Sequence, residues 1–70
     1  MSLEIVKVQM SRLKANAPAI ITPVNGDVRR QTAQRLTPDV VRGLGGNTTA
    51  YFKASFVDGK WQLRRQVSHQ

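Results

Sequence analysis

Alternation of apolar and polar positions is strongest in the C-terminal third of the chain. Residues 48–57 read Thr-Thr-Ala-Tyr-Phe-Lys-Ala-Ser-Phe-Val, and residues 60–67 read Lys-Trp-Gln-Leu-Arg-Arg-Gln-Val. A period of two marks half-buried strands. Between them stands Asp58-Gly59, a pair suited to the positive φ angles of a two-residue turn, so the pattern predicts a β-hairpin over 48–67. Such a short loop fixes the register. Phe56 then faces Trp61, Ala54 faces Leu63, Phe52 faces Arg65 and Ala50 faces Val67. On the other parity Ser55 faces Gln62, Lys53 faces Arg64 and Tyr51 faces Gln66, while Val57 meets Lys60 beside the turn. One face therefore carries Ala50, Phe52, Ala54, Phe56, Trp61, Leu63 and Val67 and reads as core. The other carries Tyr51, Lys53, Ser55, Lys60, Gln62, Arg64 and Gln66 and reads as polar and basic. Arg65 falls on the core parity, where its stem can cover Phe52 while its head reaches water.

Earlier in the chain the signals are shorter. Val6, Val8 and Met10 alternate with Lys7 and Gln9, which predicts a strand over 3–10. Leu3 and Ile5 take the opposite parity, as expected of a bulge or of a strand partly covered on both faces. Residues 11–18 lack periodicity and read as a loop that carries Arg12 and Lys14. Ala19 to Val24 is a second strand, at an edge or ending at Pro23, because proline cannot donate to a ladder. Asn25-Gly26 then signals a tight hairpin with a return strand from Asp27 to about Gln31. A helix from Asp27 to Leu36 is the rival reading. Thr37-Pro38-Asp39 starts a short helix: threonine caps, proline suits the first turn, and aspartate favours the positive end of the helix dipole. Val40, Val41 and Leu44 give that helix an apolar face, and Gly45-Gly46 ends it.

Together these elements predict an α+β domain: a small antiparallel sheet of four or five strands, one short helix near residues 38–44, and the C-terminal hairpin 48–67. The 70 residues suffice for one domain, here 1–67 with a flexible tail at 68–70. Cysteine is absent, so no disulfide or cysteine-held metal staples the fold, and a cytoplasmic location is the default. No apolar run approaches the ~20 residues of a membrane helix. A core of this size is marginal alone, which makes a homodimer an expected state beside the monomer.

Charge changes the picture most. Eleven Lys and Arg stand against four Asp and Glu, a net charge of +7. Lys53, Lys60, Arg64 and Tyr51 share the polar hairpin face, and Arg29 and Arg30 form a second basic patch. Such surfaces suit an anionic partner, either nucleic acid or an acidic protein, with Tyr51 able to stack on a base. The like-charged Lys53–Arg64 pair costs a fraction of a kcal/mol. Phe52, Phe56 and Trp61 also suggest a stacking platform, but the short helix needs an apolar face to dock on, and these residues supply it. Thr37 to Arg42 is too short, and lacks the second helix, for a helix-turn-helix. Nothing points to an enzyme: the one histidine, His69, is next to last, the carboxylates are scattered, and Gly43-Leu44-Gly45-Gly46 ends a helix and lacks the Lys-Ser/Thr of a phosphate loop. No catalytic residue, metal site or cofactor is expected.

Val6-Lys7-Val8-Gln9, Val41-Arg42-Gly43-Leu44-Gly45-Gly46, and Ala50-Tyr51-Phe52-Lys53-Ala54 followed by Asp58-Gly59-Lys60-Trp61 resemble, in that order, a group of short bacterial and prophage proteins with no established activity. The resemblance spans most of the chain and rests on structural motifs, so it implies a mobile-element origin and carries over no functional residues. Two functions follow as expectations. One is a small non-enzymatic basic module that binds an anionic partner such as nucleic acid. The alternative is a structural or accessory protein of a prophage or mobile element that works through protein contacts or self-association.

Overall fold

The computed structural model describes residues 3–67, with side chains through Arg64. Five antiparallel strands form one sheet in the order β3-β2-β1-β4-β5, where β1 is Glu4–Met10, β2 Pro18–Pro23, β3 Thr32–Arg35, β4 Thr49–Val57 and β5 Lys60–Val67. A single 3₁₀ turn, Val28–Arg30, precedes β3, and one six-residue helix, α1 (Pro38–Gly43), follows it. Helix is so minor a share that α+β describes the fold only loosely; it is a curled sheet with a short helical plug. The expected tail 68–70, with His69, lies outside the described residues, as do the side chains of Arg65, Gln66 and Val67.

β1 is the central strand, and its even positions from Val6 to Met10 are apolar. Val6 and Val8 are inaccessible to water and Met10 nearly so, and each such side chain contributes about 1.5–3 kcal/mol on burial. Ala19 and Ile21 of β2 join them on the inner face, as do Ala50, Phe52 and Ala54 of β4 and Trp61 of β5. Phe56 and Leu63 pack at the margin of this core. Ile5 is half-buried and the β1–β4 register runs unbroken from Glu4 to Gln9, so the parity switch reflects cover on both faces and no bulge. Pro23 ends β2 beyond the reach of β3, whose pairing stops at Ile21, so its missing N–H leaves no gap in the ladder.

The helix starts where Thr37 predicts it. Its hydroxyl accepts the Val40 N–H at 3.4 Å, with Pro38 in the first turn. Gly45 and Gly46 take φ of +63° and +85°, which ends the helix and turns Leu44 inward to a fully buried position. With Leu36, Val40 and Val41, Leu44 closes the core on the side that the sheet leaves open.

Two expectations about register are corrected. Asn25-Gly26 does not make a two-residue hairpin, nor does a helix run from 27 to 36. Residues 24–26 bend, Asp27 accepts the Arg29 N–H at 2.9 Å to start the 3₁₀ turn, and the return strand begins only at Thr32. The longer detour carries Arg30 back over the sheet. At Gly26 a β-carbon would collide with the Arg30 guanidinium, so glycine leaves that side chain room to pass. The second correction lies in the C-terminal hairpin. Val57–Lys60 through Ala54–Leu63 pair as expected, but Lys53 stands opposite Arg65, Phe52 opposite Gln66 and Tyr51 opposite Val67. Arg64 is the extra residue of a β-bulge. A bulge sharpens local twist, and here it exchanges the expected Lys53–Arg64 pairing for Lys53–Arg65.

The curl brings β3 toward β5, at opposite ends of the sheet order. The Gln34 side chain spans the gap. Its Oε1 accepts the Trp61 N–H at 2.6 Å and its Nε2 donates to the Trp61 carbonyl at 2.9 Å, as a neighbouring strand's backbone would. The Trp61 indole N–H donates to the Arg30 carbonyl at 2.8 Å, so every polar group of Trp61 is occupied.

Candidate functional site

Arg30 and Arg29 are adjacent in sequence but have different surroundings. Arg30 donates through Nη1 and Nη2 to both carboxylate oxygens of Glu4, each at 2.7 Å. Its guanidinium also lies 5.1 Å from the Trp61 ring centre and 5.6 Å from that of Phe56, with the two rings 4.8 Å apart. This bidentate, aromatic-backed arrangement suits arginine alone among the cations. The hydrogen bonds from Arg30 hold the Glu4 carboxyl below its ordinary range. Arg29 is exposed and pairs with Asp27 at 2.7 Å, and its hydrogen bonds likewise lower the Asp27 carboxyl. Arg42 meets Asp39 at 3.4 Å on the outer side of α1.

These three pairs engage Glu4, Asp27 and Asp39; the fourth acid, Asp58, forms the hairpin turn with φ of +54°. Among the described side chains, Lys7, Arg12, Lys14, Arg35, Lys53, Lys60 and Arg64 therefore have no carboxylate within ion-pair distance. Among the described side chains these seven carry the unpaired positive charge; Arg65, the remaining basic residue, lies outside them.

The seven fall into two groups. The first is the outer face of the sheet. Lys7 of β1 stands opposite Tyr51 of β4, with Lys53 two residues along that strand. Lys53 is exposed, Tyr51 is half-buried and engaged by a neighbour, and Arg64 is exposed with its Nη2 donating to Gln62 Oε1 at 3.3 Å. Ser55, expected on the solvated side, is buried, so this face is not continuously open to a ligand.

The second group comes together only in three dimensions. Residues 11–17 fold into an anchored loop. Asn16 adopts φ of +66°, a left-handed conformation that asparagine tolerates better than most residues. Its N–H donates to the Leu36 carbonyl at 2.8 Å, and Leu36 N–H returns a bond to the Ala17 carbonyl at 3.3 Å. Arg35, at the end of β3, donates from Nη1 to the Asn16 carbonyl at 2.8 Å. Loop and strand end thus enclose a cleft of about 570 Å³ that carries Arg12, Lys14 and Arg35 and no acid. Arg35 also borders a second hollow of about 320 Å³, over the β3–β5 seam, whose other cation is Lys60.

Of the residues singled out by sequence, Lys60 joins this basic tract, Tyr51, Lys53 and Arg64 lie on the sheet face, and Arg29 and Arg30 are held in ion pairs. Arg12, Lys14 and Arg35 are the members that sequence reasoning did not assemble. The usable signal was slight: two cations in a loop without acids, and an arginine at a strand end facing that loop across one β-pairing. Among the described residues there is no group of three or more His, Asp or Glu able to hold a metal ion, and no helix is long and apolar enough to cross a membrane. Comparisons with protein-family profiles, with curated proteins and with solved structures return no match for this chain.

Proposed function

We propose that this protein is a small binding module for nucleic acid that works by neutralising phosphates. The observation that carries the reading is the cleft between loop 11–17 and the end of β3, which three cations line with no carboxylate. Like charges held together cost free energy, and an anionic ligand relieves it. The cleft is also prepared in advance: the loop backbone is bonded to Leu36, and Arg35 is positioned by the Asn16 carbonyl, so little ordering remains for binding. Arginine and lysine in such a setting contact phosphate oxygens and position a backbone without reading bases. The expected behaviour is weak sequence preference and steep salt dependence.

The competing partner, an acidic protein surface, is separated by competition. A labelled oligonucleotide is bound and followed by fluorescence anisotropy at about 50 mM salt. Unlabelled nucleic acid and poly-glutamate are then added at equal charge. Displacement by nucleic acid is expected at much lower concentration. No binding at this salt, or equal displacement by poly-glutamate, would overturn the nucleic-acid reading. Self-association through strand edges has less support, because Gln34 already occupies the facing β3 and β5 edges at Trp61.

A further inference from the structure

We infer that the preferred nucleic acid is a duplex, gripped by the phosphates of its backbone along the line Arg12, Lys14, Arg35 and Lys60. This rests on the nucleic-acid reading and goes further in naming the form of the ligand and the track that holds it.

Two observations carry it. The first concerns aromatics. Proteins that favour single strands present aromatic rings on which bases stack, each worth ~1–3 kcal/mol. Here Phe52 and Trp61 are buried, and Phe56 packs against Trp61 beneath the Arg30 guanidinium. Tyr51 is half-buried on the sheet face and already engaged. No aromatic side chain lines the basic cleft or the adjoining hollow over the seam. A splayed base gains nothing from this surface, so charge density decides, and a duplex carries about twice the charge of one strand per unit length.

The second observation is the sharing of Arg35 by the two hollows. It borders the cleft with Arg12 and Lys14 on one side and the seam hollow with Lys60 on the other. A guanidinium between two cationic hollows suits a run of successive phosphates better than one isolated anion. Its planar fork can serve two phosphate oxygens at once. The track crosses β3, where Gln34 closes the sheet, so its two halves are fixed to one rigid frame.

Four cations on four phosphates predict a slope of log K against log salt of about −3.6 for a duplex, a loss on the order of 100-fold from 50 to 200 mM. The test measures this slope by anisotropy for a DNA duplex and for a single strand of equal length. It uses the full chain, the double variant R12Q/K14Q and the charge-matched control K53Q/R64Q. Trp61 fluorescence reports that each variant is folded. The expected result is tighter binding of the duplex. The slope should shrink by about 2 in R12Q/K14Q, about 1 per phosphate contact removed, and stay nearly unchanged in K53Q/R64Q. Equal shrinkage in the control would overturn the track. Tighter binding of the single strand would overturn the duplex preference while leaving the nucleic-acid reading intact. Absence of binding to either form at low salt would overturn both.

Discussion

Gln34 is the closure of the curled sheet, and replacing it with methionine tests whether the seam matters as argued. Methionine keeps the length and removes both polar atoms. Two hydrogen bonds to Trp61 are lost, at 2.6 and 2.9 Å, and the Thr32 hydroxyl loses its acceptor at 2.8 Å. Each bond is worth ~1 kcal/mol net, and leaving a buried partner unsatisfied costs ~1–3 kcal/mol. Trp61 is almost wholly buried, but its backbone lies at a strand edge that water can reach once the seam opens. A loss of about 2–3 kcal/mol is therefore expected. Against the ~3.5–10 kcal/mol available to a chain of this length, that is a large fraction. It corresponds to a drop in Tm of roughly 10–20 °C. Urea unfolding followed by the single tryptophan is the assay. Q34M should move the midpoint down without a large change in slope, and the Trp61 amide should exchange faster than its neighbours on β4. Gln34→Glu keeps the acceptor for Trp61 N–H and loses the donor, so it should fall between the two. A midpoint for Q34M equal to that of the parent, with Trp61 exchange unchanged, would refute the closure.

Two further predictions concern other devices of the fold. Arg30 holds the Glu4 carboxyl below its ordinary range. The stabilisation is thus complete above the unfolded-state value and lost as pH falls through the lower folded-state one, so stability declines below about pH 4. Glu4→Gln should flatten that acid limb in urea midpoints measured across it, though not abolish it, since Asp27 is shifted the same way; an unaltered limb would remove Glu4 from the account. Gly59 and Gly43 should respond to alanine with opposite signs. Gly59 has φ of +79° in the hairpin turn, so Gly59→Ala should cost about 1–2 kcal/mol. Gly43 lies in α1 with open space around its would-be β-carbon, so Gly43→Ala should gain about 0.5–1 kcal/mol; thermal melts that show the same sign for both would contradict this.

What the sequence disclosed follows the range of the interactions. Thr37-Pro38-Asp39, Gly45-Gly46 and Asp58-Gly59 act within a few residues, and each does in the fold what its local chemistry requires. The inner face of β4 was legible for the same reason, since alternation at Ala50, Phe52 and Ala54 needs only one buried side. The Arg64 bulge was not legible, because a two-residue turn dictates pairing near itself and loses authority six residues away. Arg65 on the core parity was the trace of it: an arginine out of phase is what a one-residue slip leaves behind. The detour at 24–31 depended on Glu4, 26 residues from Arg30, and no local signal at Asn25-Gly26 reports that partner. The basic tract was hidden likewise, since Arg12, Lys14, Arg35 and Lys60 come to border two hollows that share Arg35 only after loop 11–17 is tied to Leu36 and the sheet has curled.

The most direct measurement is a map of backbone amide chemical shifts as a short DNA duplex is titrated into the labelled protein. The largest changes are expected at residues 11–17, at Arg35 and Leu36, and at Lys60, with small changes along the sheet face at Tyr51, Lys53 and Gln62. Changes concentrated on that sheet face, or at Arg29 and Arg30, would contradict the basic tract as the binding site.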